Sequence, residues 1–597
     1  MLKPKPLYVR ITQSLGMDDR ADARQIDANK GKLLYNMDIS SPGKKYKRLG
    51  STAVLSAIGT VPIMGLCYLK GGGIASRMTL VANKRFYKST LPLEETGSWT
   101  DVPEADIFTA ATYPQAMQEA QGSVYMSNGV NSFYGYNGTA MTEYVTAPKG
   151  KVMAYFKNRL WVANVNTTPI VTGDVTVFTG AAGSYLKIIV GGSTFDDINL
   201  ATATSIDEVV TLINAVVGFA AKGIAYKTSA GKLSIYSLTS GSGTITVSDG
   251  TSDTQEACEA LFSGTTATST GYSYPDFVYY SDVIDPTTYN MTSNVIKVYS
   301  GDGTDVMAMR AFKESVLLIF KEDSIHELLV QGDTATYWNL RPIDTEHGCV
   351  AYNCTAAWGN TVFYLSRDGV RIVQANAVAP DLPLSWEIQA TWNTINFDYI
   401  SRSCMIVHNN KLYVAVPTGS STYPNTVLVY DMTAKGWVVY TGWNVNCWAI
   451  HVEKVVAATA DEEEILMYGD AANGKVYKLF KSTAYDDTGN TAITYQEDSK
   501  RFDFDYPFKK IGDFVDFQIL SGTANNVVIS GITVNDRVTT TSVLTTASTS
   551  GKTGLKGLGR FDDLQLRFSH VGSGTSTEQL IMGEYTIYAK PCGYRRE

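Results

Sequence analysis

Thr361-Val-Phe-Tyr-Leu-Ser366, then Arg367-Asp368-Gly369, then Val370-Arg-Ile-Val373 is the stretch that decides the fold class. Two runs of β-branched and aromatic residues flank an Asp-Gly pair, and that pair is expected to supply the positive φ angles of a tight hairpin turn. The plan recurs in Thr426-Val-Leu-Val-Tyr430, Asp431-Met-Thr-Ala-Lys-Gly436 and Trp437-Val-Val-Tyr440. Further copies are Ser123-Val-Tyr-Met126 before Asn128-Gly129, Arg159-Leu-Trp-Val162, Val316-Leu-Leu-Ile-Phe320, Lys411-Leu-Tyr-Val-Ala-Val416, and Ile465-Leu-Met-Tyr468 facing Lys475-Val-Tyr477 across Asn473-Gly474. Repeated hairpins with few helices between them, and a Tyr-Asp…Gly-Trp unit at 430–437, fit radial repetition of four-stranded sheets. The repeat is degenerate, so the blade count is not readable.

Outward from these hairpins the texture changes twice. Between 168 and 272, Asp174-Val-Thr-Val-Phe178, Leu186-Lys-Ile-Ile-Val190, Lys232-Leu-Ser-Ile-Tyr236 and Thr244-Ile-Thr-Val247 read as strands. Ser205-Ile-Asp-Glu208 is a capping box opening a helix over Val209 to Val217, and Thr254 to Phe262 reads as a second short helix. Gly/Ser/Thr-rich flanks at 164–173 and 263–274 mark this as an insert, since strand texture resumes beyond it. From about 490, Phe502-Asp-Phe-Asp505, Phe514-Val-Asp-Phe-Gln-Ile519, Asn526-Val-Val-Ile529, Gln565-Leu-Arg-Phe568 and Gly583-Glu-Tyr-Thr-Ile-Tyr588 alternate as the strands of a small sandwich do. The expected fold is therefore mainly β: an irregular β-propeller with an inserted small α+β domain and a C-terminal β-sandwich-like domain. Its parts are a basic N-terminal arm at 1–50, propeller at 51–167 and 273–489, the insert at 168–272, and the sandwich at 490–597.

Composition agrees. The chain has 597 residues, too many for one core, and a charged fraction of 18% beside 51 Gly and 36 Tyr, which suits turns and half-buried strands. Residues 1–50 hold 11 Lys/Arg against 5 Asp, a balance of +6, which leaves −14 on the remainder of a chain whose net charge is −8. A +6 arm could touch nucleic acid or an acidic partner, while an acidic body disfavours tight, sequence-reading DNA binding. Seven dispersed Cys suggest no disulfide framework and a reducing compartment. The basic start Met1-Leu2-Lys3-Pro4-Lys5-Pro6 runs into Tyr8-Val9-Arg10-Ile11 rather than an apolar leader, and Ala53 to Leu69 is broken by Ser56, Gly59, Thr60, Pro62 and Gly65, so neither a secretory leader nor a membrane span is expected.

Motifs for chemistry are incomplete. Gly551-Lys552-Thr553 ends like a phosphate-binding loop, but the loop's first Gly would be at 546, which is Thr546, and the expected setting is a linker. His326-Glu327 begins a zinc-protease motif that needs His at 330, where Val330 stands. His347, Cys349 and Cys354 could supply three metal ligands, with a fourth such as Cys404 from elsewhere, but buried free Cys is common in β cores. The five His lack a neighbouring nucleophile elbow. Asp461-Glu-Glu-Glu464 reads as a solvated turn, and Ser366-Arg-Asp-Gly369 only approaches the sialidase repeat. Paired carboxylates for glycoside hydrolysis depend on a separation set by the fold. No catalytic, cofactor or metal residue is assigned, and the chain is not expected to be an enzyme.

Several segments in order resemble the tail-nozzle, or head-completion, proteins of short-tailed phages. They are Ala147-Pro-Lys-Gly-Lys-Val152 leading to Phe156-Lys-Asn-Arg-Leu-Trp161, Val298-Tyr-Ser-Gly-Asp-Gly303, Phe312 to Leu329, Gly348-Cys349 to Trp358-Gly359, Val362-Phe-Tyr-Leu-Ser-Arg-Asp-Gly369, and Tyr468-Gly-Asp-Ala-Ala-Asn-Gly-Lys-Val-Tyr477. Gly31-Lys-Leu-Leu-Tyr-Asn-Met-Asp38 to Lys47-Arg-Leu-Gly50 is similar to the family's opening segment with more departures, and the 168–272 insert looks instead like small domains of other phage tail and flagellar hook-associated proteins. The resemblance implies a structural virion protein made in the bacterial cytoplasm. It implies a homohexameric ring below the head-tail adaptor, continuing the DNA ejection channel without sequence reading and docking fibres or spikes. The alternative is a receptor- or glycan-binding tail protein built on a β-propeller, and a third reading is a propeller hydrolase.

Overall fold

Two-residue alternation and hairpin turns produce small antiparallel sheets, and long-range contacts arrange those sheets around an axis. The computed structural model describes residues 6–592 apart from 12–13, 41–43, 71–76, 90–97, 103–105, 109, 111–113, 167–168, 229–230, 239–242, 375–381, 455–461, 483–484, 487–490, 522–526, 534–536, 545–549, 556 and 572–579. Among the described residues seven sheets form the blades of a propeller. Blade 1 is Ile63–Leu69, Arg77–Ala82, Arg85–Lys88 and Thr100–Asp101, and blade 2 is Ala116–Ala120, Ser123–Ser127, Phe133–Tyr136 and Met141–Tyr144. Blade 3 joins Lys149–Phe156 and Arg159–Asn166 to Ser273–Tyr280 and Val295–Lys297. Blade 4 spans Val306–Phe312 to Asn339–Asp344, and blade 5 has three strands, Thr355–Trp358, Thr361–Leu365 and Val370–Gln374. Blade 6 is Cys404–His408, Lys411–Val416, Thr426–Asp431 and Gly436–Thr441.

Closure of the ring comes from the N-terminal side. Blade 7 is Val445–Lys454, Glu462–Asp470 and Val476–Ser482, completed by Gly50–Val54 with Val54 opposite Val476 and Ala53 opposite Tyr477. The first strand of each blade lies beside the first strands of its two neighbours, and Val445–Lys454 of blade 7 returns to Ile63–Leu69 of blade 1. A sheet that twists right-handedly about its own axis packs face to face on the next in this way, and each blade's apolar face is covered by its neighbour.

The insert interrupts blade 3 between its second and third strands, which pair directly with Asn166 opposite Ser273. It forms two sheets of its own, Ile170–Thr172, Leu233–Ser237, Gly223–Lys227 and Ser193–Asn199, Tyr185–Val190, Thr244–Asp249, Thr266–Thr270. The helices Ile206–Asn214 and Ala257–Phe262 pack Val209, Ile213, Cys258 and Leu261 into a separate core with Leu186, Ile188, Leu233 and Val247. Ser205 Oγ accepts from Glu208 N at 3.3 Å, so the helix begins three residues earlier than expected, and Glu208 accepts in turn from Thr204 N. Asp174–Phe178 is not a strand: Asp174 N bonds Leu261 O at 2.8 Å and Val177 is 74% exposed. Tertiary context outweighs the β propensity of Val-Thr-Val-Phe.

Residues read as a basic N-terminal arm do not stand apart. Leu7–Ile11 and Lys45–Lys47 pair with Ile581–Pro591, and Leu33–Tyr35 lies parallel to Gly436–Thr441 and antiparallel to Thr494–Phe502. Blade 6 therefore continues, through Leu33–Tyr35, into Thr494–Phe502, Leu564–Val571, Val527–Thr533 and Arg537–Leu544 as one nine-stranded sheet. A second sheet built on Ile581–Pro591 and Lys510–Ser521 covers it, and one core runs through propeller and sandwich. Five of the segment's 11 cations pair with carboxylates of the body: Arg10 with Glu584, Arg24 with Asp563, Lys30 with Glu387, Lys45 with Glu497 and Arg48 with Asp486.

Two turns differ from expectation. Neither Asp368 nor Gly369 has positive φ; Ser366 N bonds Gly369 O at 2.9 Å in a wider loop. Gly369 is needed for space, because a Cβ there would lie 2.4 Å from Pro383 Cβ and 2.6 Å from Ser385 Oγ. Phe502 ends its strand, and Phe504 and Asp505 at φ 62° and 51° turn the chain. Asn526 and Asp461 lie outside the described residues.

Candidate functional site on the propeller axis

Where seven first strands converge, their alternate side chains face one another across the axis and leave a cavity of about 870 Å³. Met64 and Leu66, Gln115 to Gln118, Lys151 to Tyr155, Met309 to Ala311, Thr355 to Ala357, Cys404 to Val407, and Asn446 to Ile450 contribute one segment from each blade. Its size is that of a small-molecule pocket. A DNA duplex, whose major groove alone is about 12 Å wide, does not pass through such a space.

The lining holds three cations, Lys151, Arg310 and Arg402, and no carboxylate among the described residues. Lys151 Nζ reaches Tyr352 Oη at 3.3 Å and lies 5.3 Å from the centre of that ring. Arg402 donates to Thr422 O at 3.0 Å and sits 4.7 Å from the centre of the Tyr423 ring. Both are placed near the start of their blades' first strands, with Asn128 and Tyr423 from second-to-third-strand loops beside them, so they occupy one mouth. Arg310 is farther along its strand. It has no hydrogen-bond or ion-pair partner for its side chain among the described residues, and burial lowers its pKa. Its surface is open to the cavity although protein surrounds it, so water in the channel is its solvent.

Nucleophile chemistry has little support at this site. Burial pushes the Cys447 thiol up to about 12 and the Cys404 thiol well above its ordinary value, so both are protonated at neutral pH. Lys149, one strand position pair from Lys151, is pulled down to about 8 by burial, with Glu143 opposing.

The sequence motifs fall elsewhere. Gly551-Lys552-Thr553 lies in the strand Ser550–Gly554, with Thr553 opposite Val515. His326 stacks on Tyr299 with ring centres 4.7 Å apart and meets Ser324 Oγ at 3.0 Å, whereas Glu327 pairs with Arg341 at 2.7 Å. His347 contacts Asp344 at 3.3 Å, and Cys349 Sγ donates to Ala351 O at 3.2 Å. Burial raises the Cys349 and Cys354 thiols, and no group of three His, Cys, Asp or Glu side chains able to hold a metal occurs among the described residues. Asp368 is chelated by Arg371 at 2.5 Å, and Glu463 and Glu464 lie exposed in the strand Glu462–Asp470. No helix among the described residues is long and apolar enough to cross a membrane.

No family model matches the chain, and no curated protein does. Among solved structures it is similar to the computationally designed Ika8 protein, at 12% identity over 72% of this chain and 99% of that one, with a TM-score of 0.33. YCF48 from Cyanidioschyzon merolae matches at 8% identity over 71% and 97% with a TM-score of 0.23, and the AfRom2 CNH domain at 10% over 71% and 98% with 0.30. The propeller assignment rests on the strand pairing described above.

Proposed function

We propose that this chain is a structural virion subunit of the tail-nozzle type, assembling as a homohexameric ring below a head-tail adaptor and docking fibres or spikes. The observation that carries the reading is the ordered set of segments between 120 and 490 that resemble nozzle proteins, which lie on propeller strands, their hairpins and two connections between blades, at 298–303 and 348–354. The edge-on fusion of blade 6 to the sandwich supports it, since one continuous sheet makes a stiff block suited to a closed, heterologous ring contact. The DNA lumen in this reading lies between subunits, because the axis of one propeller holds only a small molecule. Quantitative mass spectrometry of purified particles tests it: about six copies per portal ring are expected. Particles that lack the chain yet keep genome and tail would overturn it.

A second reading is a receptor- or glycan-binding tail protein. It is favoured by a ladder at the insert's exit, where Tyr272 is exposed, Tyr272 and Tyr274 lie 5.9 Å apart, and Tyr274 stacks on Phe277 at 4.5 Å and 9°. Saturable binding to cell-surface glycan, lost in Tyr272→Ala, is its expected signature.

A further inference from the structure

We propose that the propeller axis is a binding site for a small organic polyanion, a molecule of metabolite size bearing two or more phosphate or carboxylate groups. The argument begins with charge. The chain carries 58 acidic side chains against 50 basic ones, yet three cations line one axial cavity with none of those acids in its lining among the described residues. Four buried cations elsewhere have a carboxylate, Arg48 with Asp486, Lys45 with Glu497, Lys321 with Asp302 and Arg371 with Asp368, while buried Arg159 and Lys510 are held by backbone carbonyls instead. Like charges gathered around one cavity repel, and an anion bound among them offsets that repulsion.

Geometry makes the anion extended rather than point-like. Tyr352 and Tyr423 hold Lys151 and Arg402 at one mouth, while Arg310 stands deeper with its guanidinium free among the described residues. A ligand with two separated anionic groups meets both levels, and a guanidinium matches phosphate or carboxylate oxygens two at a time. Met64, Met117, Met153, Met309 and Met405 line the space between the cations and supply an adaptable apolar wall for the ligand's body. The site belongs to one subunit and does not depend on ring assembly.

The test uses the purified full-length chain and inorganic pyrophosphate as the probe, titrated by calorimetry and followed by thermal melting, with sodium chloride matched for ionic strength. Saturable one-to-one binding and a raised melting temperature are expected, with at least tenfold weaker binding in Arg310→Met and in Arg402→Met. Arg310→Met is expected to melt no lower than the parent without pyrophosphate, since it removes an unmatched cation. Lys222→Met, in the insert, is expected to bind as the parent. Absence of saturable binding overturns the proposal, as does parent-like affinity in Arg402→Met or an equal loss in Lys222→Met; should Arg310→Met fail to fold, Arg402→Met decides.

Discussion

Arg48 is 1% exposed and places every one of its guanidinium N–H groups: Nε donates to Asn36, Nη1 to Asp486 and Leu49 O, and Nη2 to Asp486 and Thr441 O. Its Cζ lies 4.3 Å from the Trp443 ring centre, and Trp443 Nε1 itself donates to Asp486 at 2.7 Å. Removing the cation strands a buried carboxylate, so Arg48→Met is expected to lose about 3–5 kcal/mol in chemical denaturation. Arg48→Met with Asp486→Asn is expected to lose less, because no bare charge is left behind. A larger loss in the double variant would contradict this account. His326 gives a second prediction, in pH. Burial, then Lys321, depress its pKa to about 4, so between about pH 6.5 and pH 4 the unfolded chain binds a proton that the folded chain does not. Stability contributed by the neutral ring is full above that window and is lost as pH falls through it, by about 3 kcal/mol at most. His326→Phe keeps a ring on Tyr299 and is expected to flatten that part of the acid limb in pH-dependent melting.

Hairpins are the elements that the sequence announces most clearly, because they are local. Asp431 Oδ1 accepts from Thr433 N and Ala434 N, and Asp470 Oδ1 from Ala472 N and Asn473 N, so an Asp…Gly segment, 431–436 in blade 6 and 470–474 in blade 7, forms a side-chain-capped turn in each. At the Asp368-Gly369 turn the same grammar misleads: the glycine answers to Pro383 and Ser385, not to its own φ. Gly369→Ala is expected to cost about 1–3 kcal/mol by overpacking, measurable in denaturant melts. An unchanged midpoint would show that the 383–385 segment yields. What local pattern could not show is pairing across distance. Gly50–Val54 closes blade 7 against strands more than four hundred residues later, and the arm's cations meet carboxylates at 387, 486, 497, 563 and 584. Lys151, Arg310 and Arg402 likewise sit in unremarkable strand or loop contexts, and only knowing which strand of each blade is innermost brings them together.

At the scale of the molecule, three bodies share one chain with unequal dependence on one another. The insert has its own core, and its entry and exit pair directly at Asn166 and Ser273. Replacing residues 168–272 with a short Gly-Ser turn is therefore expected to leave a folded propeller melting within a few degrees of the parent. Propeller and sandwich share a core and a nine-stranded sheet, so they are expected to unfold in one transition, seen as a single calorimetric peak. The central claim, a ring-forming virion subunit, is tested most directly by native mass spectrometry of the full-length chain alone and with purified head-tail adaptor ring. The account predicts a hexamer, free or formed on the adaptor, whereas a stable trimer or monomer that ignores the adaptor and binds cell-surface glycan would contradict it and favour the receptor-binding reading.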